Sequence, residues 1–386
     1  MTIARRPAAL LLALVLVPPG LGGCGSGPAP IGRTPPLSPD ARAHRAPLDH
    51  EAYAKLGYRV QWRGFPSMSG GAELEHLDVL GDIVVAQDAG TTLTVMEVSS
   101  GANRWSDQLG SPLTKFVGNV RTDNLVVASS DTEAFYLAAD TGTLTHKHGL
   151  ARVVATRPLV AAGFLVYGTR TGHVITHRLA SGYAGWGTVL AGSIEVAPVA
   201  IGSGAAGVVS SRGGVLIFDP ATGMGRGRAR ISGGPGAPLA ASDSMLFVAS
   251  VDQSLYAFDA ADCSLAWRRR TEAALRERPV YHDGKLYCSI PGTGLTCFEA
   301  ETGRETWSAR DVRGHVIGLR AGRLVVWAPA AGSGAGGSAW TLDPSTGQVI
   351  ERVSLEHVSH VFTDTFVDGN LYTGTPNGVV AKFTPR

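Results

Sequence analysis

The residues in this chain that could do chemistry occur in pairs or at recurring positions, and the recurrence governs how they are read. His146 and His148 lie two apart, so on a strand they share one face, as two zinc ligands can. No third ligand follows at a telling spacing, and packing is the expected role. His173 with His177, and His357 with His360, are pairs with as little support. Carboxylates recur at Asp219, Asp259, Glu299 and Asp343. A general acid–base pair is needed once per site, so an acid that returns in every repeat is expected to cap a turn. No glycine-rich phosphate loop leads from a strand into a helix, and no Gly-x-Ser-x-Gly elbow occurs. Arg226, Arg228 and Arg230 alternate along one segment, and Arg268, Arg269 and Arg270 hold the equivalent place one repeat later. They suit either a carboxylate or lipid headgroup, or simply a solvated outer strand. The residues thus nominate no catalytic, cofactor-binding or metal-ligating set.

The elements that carry these residues follow from a repeated turn. Asp219-Pro-Ala-Thr-Gly223, Glu299-Ala-Glu-Thr-Gly303 and Asp343-Pro-Ser-Thr-Gly347 are its clearest copies, with looser ones ending at Gly101, Gly142 and Gly182. Asp259-Ala-Ala-Asp-Cys263 keeps the frame but replaces the glycine that supplies positive φ without steric cost. Upstream of each turn lie two apolar, β-branched runs joined by a polar turn, such as Met245–Ser250 and Ser254–Phe258, which read as a β-hairpin. Four residues past the turn a tryptophan recurs, at Trp105, Trp186, Trp267 and Trp307, and Trp62 falls one residue out of that phase. A ring repeated on the same strand of each unit is expected to wedge neighbouring sheets apart and bind nothing.

Units this short cannot be domains, so neighbours must bury one another's faces. Seven turns end seven units, and one further hairpin (370–383) lacks an outer strand, while Gly57–Trp62 is an outer strand with nothing before it. Pairing the two closes the ring and removes an open edge. The expected fold is therefore all-β: an eight-bladed β-propeller of four-stranded antiparallel blades over 53–386, its last blade completed by the N-terminal strand. Small-residue stretches at 329–338 and 66–71 are expected to lengthen loops without changing this frame.

Residues 1–23 have the parts of an export signal, with Arg5 and Arg6 before an apolar run from Ala8 to Val17, too short to be a permanent span. Leu21-Gly-Gly-Cys24 resembles the bacterial lipobox, which implies lipidation of Cys24. Residues 24–52, rich in proline and glycine, read as a semi-extended tether. Without 1–23 the chain has 32 basic and 32 acidic residues, which argues against nucleic acid as a partner. Cys288 and Cys297 flank Gly292-Thr293, and a hairpin about that pair sets them opposite, either as a disulfide or as two packed thiols. Cys263 is then an odd, buried thiol.

The phrase Phe298-Glu-Ala-Glu-Thr-Gly-Arg-Glu-Thr-Trp307 resembles the repeat of quinoprotein (PQQ-type) propellers, over nearly all of 53–386. One branch of that family, the PQQ-dependent dehydrogenases, implies a calcium site, a catalytic aspartate and two adjacent cysteines. No two cysteines adjoin here, and no Asp or Asn can be matched to the metal site. The other branch is the BamB-type lipoprotein of the outer-membrane β-barrel assembly machinery, similar in lipobox, tether and single ring. That resemblance implies a non-catalytic scaffold without cofactor, anchored by lipid on the periplasmic face of the outer membrane and bound to envelope proteins. A quinoprotein-like sensor or enzyme with a small molecule in the central channel is the alternative.

Overall fold

A computed structural model describes residues 36–330, 332 and 335–386. Cys24, the expected export signal and the first part of the expected tether lie outside them. Each repeat forms a sheet of four antiparallel strands in chain order: blade 1 (74–108), blade 2 (116–149), blade 3 (159–189), blade 4 (199–230), blade 5 (240–270), blade 6 (280–309) and blade 7 (315–356). Blade 8 takes three strands from 360–385 and its fourth from Tyr58–Gly64, which runs antiparallel to Val380–Pro385. The eight-bladed ring closed by the N-terminal strand is therefore observed.

Burial explains why the middle strands read as unbroken apolar runs. In blade 5, Met245–Ser250 is buried at every position and Ser254–Asp259 at all but the last. Neighbouring blades cover both faces, so alternation is lost there, whereas the outer strand Leu265–Arg270 is mostly exposed. The apolar residues form eight clusters, each spanning two consecutive blades, the eighth joining blade 8 to blade 1. The core is thus a ring of seams.

The recurrent turn joins the third and fourth strands. Gly223 N–H donates to Asp219 O at 2.8 Å, and the Asp219 carboxylate accepts from the amides of Ala221 and Thr222. Asp343 repeats this with Ser345 and Thr346. Cys263 takes φ +62° in the glycine position. Next to each turn the outer strand carries a bulge, a residue with no partner across the ladder. Blade 8 has one between Val60 and Trp62, which brings Trp62 into the slot of the other tryptophans despite its count along the chain.

The expected tether is corrected at its C-terminal end. Residues Pro39–Arg45 form helix α1, capped by Ser38, and His50–Lys55 form helix α2, whose first amides are held by the Asp49 carboxylate. Two helices of under eight residues escape recognition by periodicity, and they persist because tertiary packing holds them. Tyr53 of α2 stacks on Phe383 at 3.9 Å, in the cluster shared by blades 7 and 8.

Candidate functional site: the blade seams and the channel wall

The five recurrent tryptophans all act at seams. Each indole N–H donates to a carbonyl in the turn of the next blade: Trp62 to Val98, Trp105 to Ala139, Trp186 to Pro220, Trp267 to Ala300 and Trp307 to Pro344, at 2.8–3.0 Å. The ring lies over the turn glycine of that blade, respectively Gly101, Gly142, Gly223, Gly303 and Gly347. A Cβ on Gly142 would come within 2.6 Å of the Trp105 ring. The glycine is therefore needed twice, for its positive φ and for the flat ring above it.

Three seams depart from this pattern. Between blades 2 and 3, His148 covers Gly182, and His146 stacks on Tyr136 at 4.1 Å. Between blades 4 and 5 the large and small partners are exchanged: Gly227 holds the tryptophan slot, and the Cys263 side chain fills the space, buried at 2 % exposure. Burial pushes the Cys263 thiol up to about 11. Between blades 7 and 8 the recurrent turn is replaced, because the third and fourth strands of blade 8, Val380–Pro385 and Tyr58–Gly64, are not consecutive in the chain. Arg320 instead donates to Gly57 O and Arg386 O and pairs with Asp368, while α2 fills the seam. A cavity of 260 Å³ remains beside α2, lined by Tyr53, Arg63, His357 and Thr373 among others.

The remaining candidate residues are scattered. His177 Nε2 accepts from the Ala151 amide, and its Nδ1 lies 2.8 Å from Gly182 O. His173 meets Thr171, and His360 meets Ser359 and Glu75 O. Burial, then His148, lowers the His146 pKa. The expected opposition of Cys288 and Cys297 is corrected. The loop between their strands contains three residues, Pro291–Thr293, so Cys288 faces Thr296 and Cys297 faces Tyr287. A shift of one position puts the two thiols on opposite faces of the sheet. Cys288 packs between blades 5 and 6, Cys297 between blades 6 and 7, and both are free.

First strands of successive blades meet around the axis, and polar side chains bridge some of them. Arg157 bonds to Asp78 at 2.5 Å and to Asn119 O at 2.8 Å, so it spans from blade 3 past blade 2 to blade 1. Gly118 makes room for its stem. Asn119 donates in turn to the buried Gln87. Across the ring, burial followed by the charge of Arg278 pushes His315 down to about 3, and burial raises Glu277. These residues were not picked out from the sequence. An arginine before a proline at the head of an inner strand, as in Arg157-Pro158 and Arg278-Pro279, was the available signal.

The described residues present no assembled carboxylate set for a quinone cofactor with calcium. Among the described residues no three His, Cys, Asp or Glu side chains converge. The five seam indoles each have a face covered by a neighbouring turn. The arrangement uses its repeated aromatic and acidic residues internally, in seams and turns.

Fold and seams define a quinoprotein-type eight-bladed β-propeller. A family model described as outer membrane protein assembly factor BamB matches residues 89–235 and 211–385, and the chain belongs to that family. Among solved structures it is similar to BamB from Moraxella catarrhalis, with a TM-score of 0.63, 18 % identity, and coverage of 80 % of this chain and 93 % of that one. It is also similar to the computationally designed Ika8 protein, with a TM-score of 0.68, 16 % identity, and coverage of 84 % and 99 %. No curated protein matches the sequence.

Proposed function

We propose that this propeller is a non-catalytic, lipid-anchored scaffold of the bacterial envelope that docks protein partners in outer-membrane β-barrel assembly. The family match across most of the ring carries this reading. The repeated acidic and aromatic side chains are used in turns and seams, which leaves interblade loops as the surface for recognition. Lipidation of Cys24 would hold the ring at the periplasmic face of the outer membrane. No helix among the described residues is long and apolar enough to cross a membrane.

The test is crosslinking of the tagged lipoprotein in its host, followed by mass spectrometry. Recovery of the barrel-assembly subunit, with crosslinks in interblade loops, is expected. Recovery of unrelated envelope enzymes alone would overturn the role. Incubation with PQQ and calcium gives a second check, the expectation being unchanged absorbance and unchanged melting. Cys24→Ser is expected to release the protein from the membrane fraction.

A further inference from the structure

Charge is distributed unevenly around the ring. Between residues 150 and 232 the chain has eight arginines, no lysine, and two carboxylates, Glu195 and Asp219, a net charge of +6. The whole chain carries +2, so all its other residues together carry −4. One of the eight, Arg157, is paired with Asp78. The other seven, Arg152, Arg170, Arg178, Arg212, Arg226, Arg228 and Arg230, are exposed, and none forms an ion pair among the described residues. Asp219 is occupied by the amides of its turn.

The outer strands give this charge a shape. Arg228 and Arg230 lie about 7 Å apart on one side of the outer strand of blade 4, and Arg226 occupies its bulge, the guanidinium donating to Gly204 O. That side faces blade 3, where Arg228 reaches Thr188 at 3.2 Å. Beside them stand apolar side chains with no protein cover: Tyr183 at 74 % exposure, Met224 at 72 % and Val189 at 51 %. Tyr183 and Met224 immediately precede the two outer strands, and Val189 ends that of blade 3.

We propose that the outer edge of blades 3 and 4 docks on an anionic lipid bilayer. Guanidinium groups free of carboxylates bind lipid phosphates, to which they can donate two hydrogen bonds at once. A tyrosine and a methionine next to them suit the headgroup level, where a ring with a polar tip and a flexible thioether are partly wetted. An acidic protein would use the arginines but would not need bare apolar tips at both strand ends. The surface stands whichever protein partner the ring docks, and a bilayer contact here would orient the ring and present its opposite side to partners.

The experiment is cosedimentation of the full chain carrying Cys24→Ser with phosphatidylglycerol-rich vesicles and with pure phosphatidylcholine vesicles. Binding to the first and not the second is expected, with loss at high salt. Each basic residue near an anionic surface contributes about fivefold, so Arg226→Gln, Arg228→Gln and Arg230→Gln together should weaken binding about a hundredfold. The melting temperature should stay unchanged, since all three are exposed. Tyr183→Ser with Met224→Ser should weaken it further, and Arg323→Gln on blade 7, across the ring, should not. Equal binding to both vesicles, or no effect of the triple variant, would overturn the proposal. So would release by soluble polyglutamate with no effect of the Tyr183 and Met224 changes, which would assign the edge to an acidic protein.

Discussion

At the scale of single residues, the turn glycines show how one position can answer two demands. Gly142 and Gly284 both have φ near +73°, but only Gly142 lies beneath an indole; a Cβ on Gly284 meets nothing within 4 Å. Gly284→Ala is expected to cost about 1 kcal/mol, the left-handed backbone alone. Gly142→Ala should cost about 2–4 kcal/mol, because Trp105 must also move and its hydrogen bond to Ala139 must stretch. Thermal unfolding of the two variants makes the comparison. The sequence made the glycine and the tryptophan legible as periodic signals, but not that the ring of one unit sits on the glycine of the next. His315 supplies a pH test. Folded, it takes up a proton only near pH 3, against an ordinary value of 6.5. The unfolded chain therefore binds more protons below 6.5, and stability present above that value is lost as pH falls toward 3. His315→Gln should melt with a shallower acid dependence across that window.

At the scale of elements, the seams show which pairings tolerate exchange. Four seams use a tryptophan over glycine within the continuous run of the chain, and the seam of blades 4 and 5 reverses the sizes through Gly227 and Cys263. The turn backbone of blade 5 closes in where the indole is missing, so that a Cβ on Gly227 would lie 1.8 Å from Asp262 O, and contact is kept without a ring, as close packing demands. The seam of blades 7 and 8 has neither arrangement, and α2 occupies it. Tyr53→Ala removes a ring stacked on Phe383 and is expected to cost about 3 kcal/mol, read as a lowered melting temperature. Proteolysis should then cut first before residue 58. Helix α2 was hidden in the sequence because its burial is set largely by strands of blades 7 and 8 from the far end of the chain. The same holds for Cys288 and Cys297, whose spacing agrees with a bridge while a three-residue loop places them on opposite faces.

At the scale of the molecule, the ring depends on its closure. Blade 8 contributes three strands, and Tyr58–Gly64 pairs with Val380–Pro385 to complete it. A chain begun at residue 65 loses that strand, Trp62 and α2 together, and exposes both the ladder of the third strand and an apolar seam. Such an edge is a template for association. Size-exclusion chromatography is expected to show aggregates or an unfolded chain in place of a monomer. Adding the peptide 50–65 in excess should recover part of the monomer if strand pairing is the cause. Charge is also a property of this scale: a nearly neutral chain places +6 on 150–232.

The amino-acid sequence by itself determined the repeat, the number of blades and the closing strand, because turn glycines and apolar runs are local signals that recur at a constant interval. It also determined which recurrent residues serve the fold, since a side chain demanded in every unit is a structural one. Only the tertiary structure decided the register of the cysteine hairpin, the helix that fills the last seam, the arginine that spans three blades, and the lack of carboxylate partners, among the described residues, for the arginines of blades 3 and 4. Each of these depends on contacts between residues distant in the chain, and a one-position shift or a single neighbouring face is enough to change them. Spacing along the chain carries no record of that.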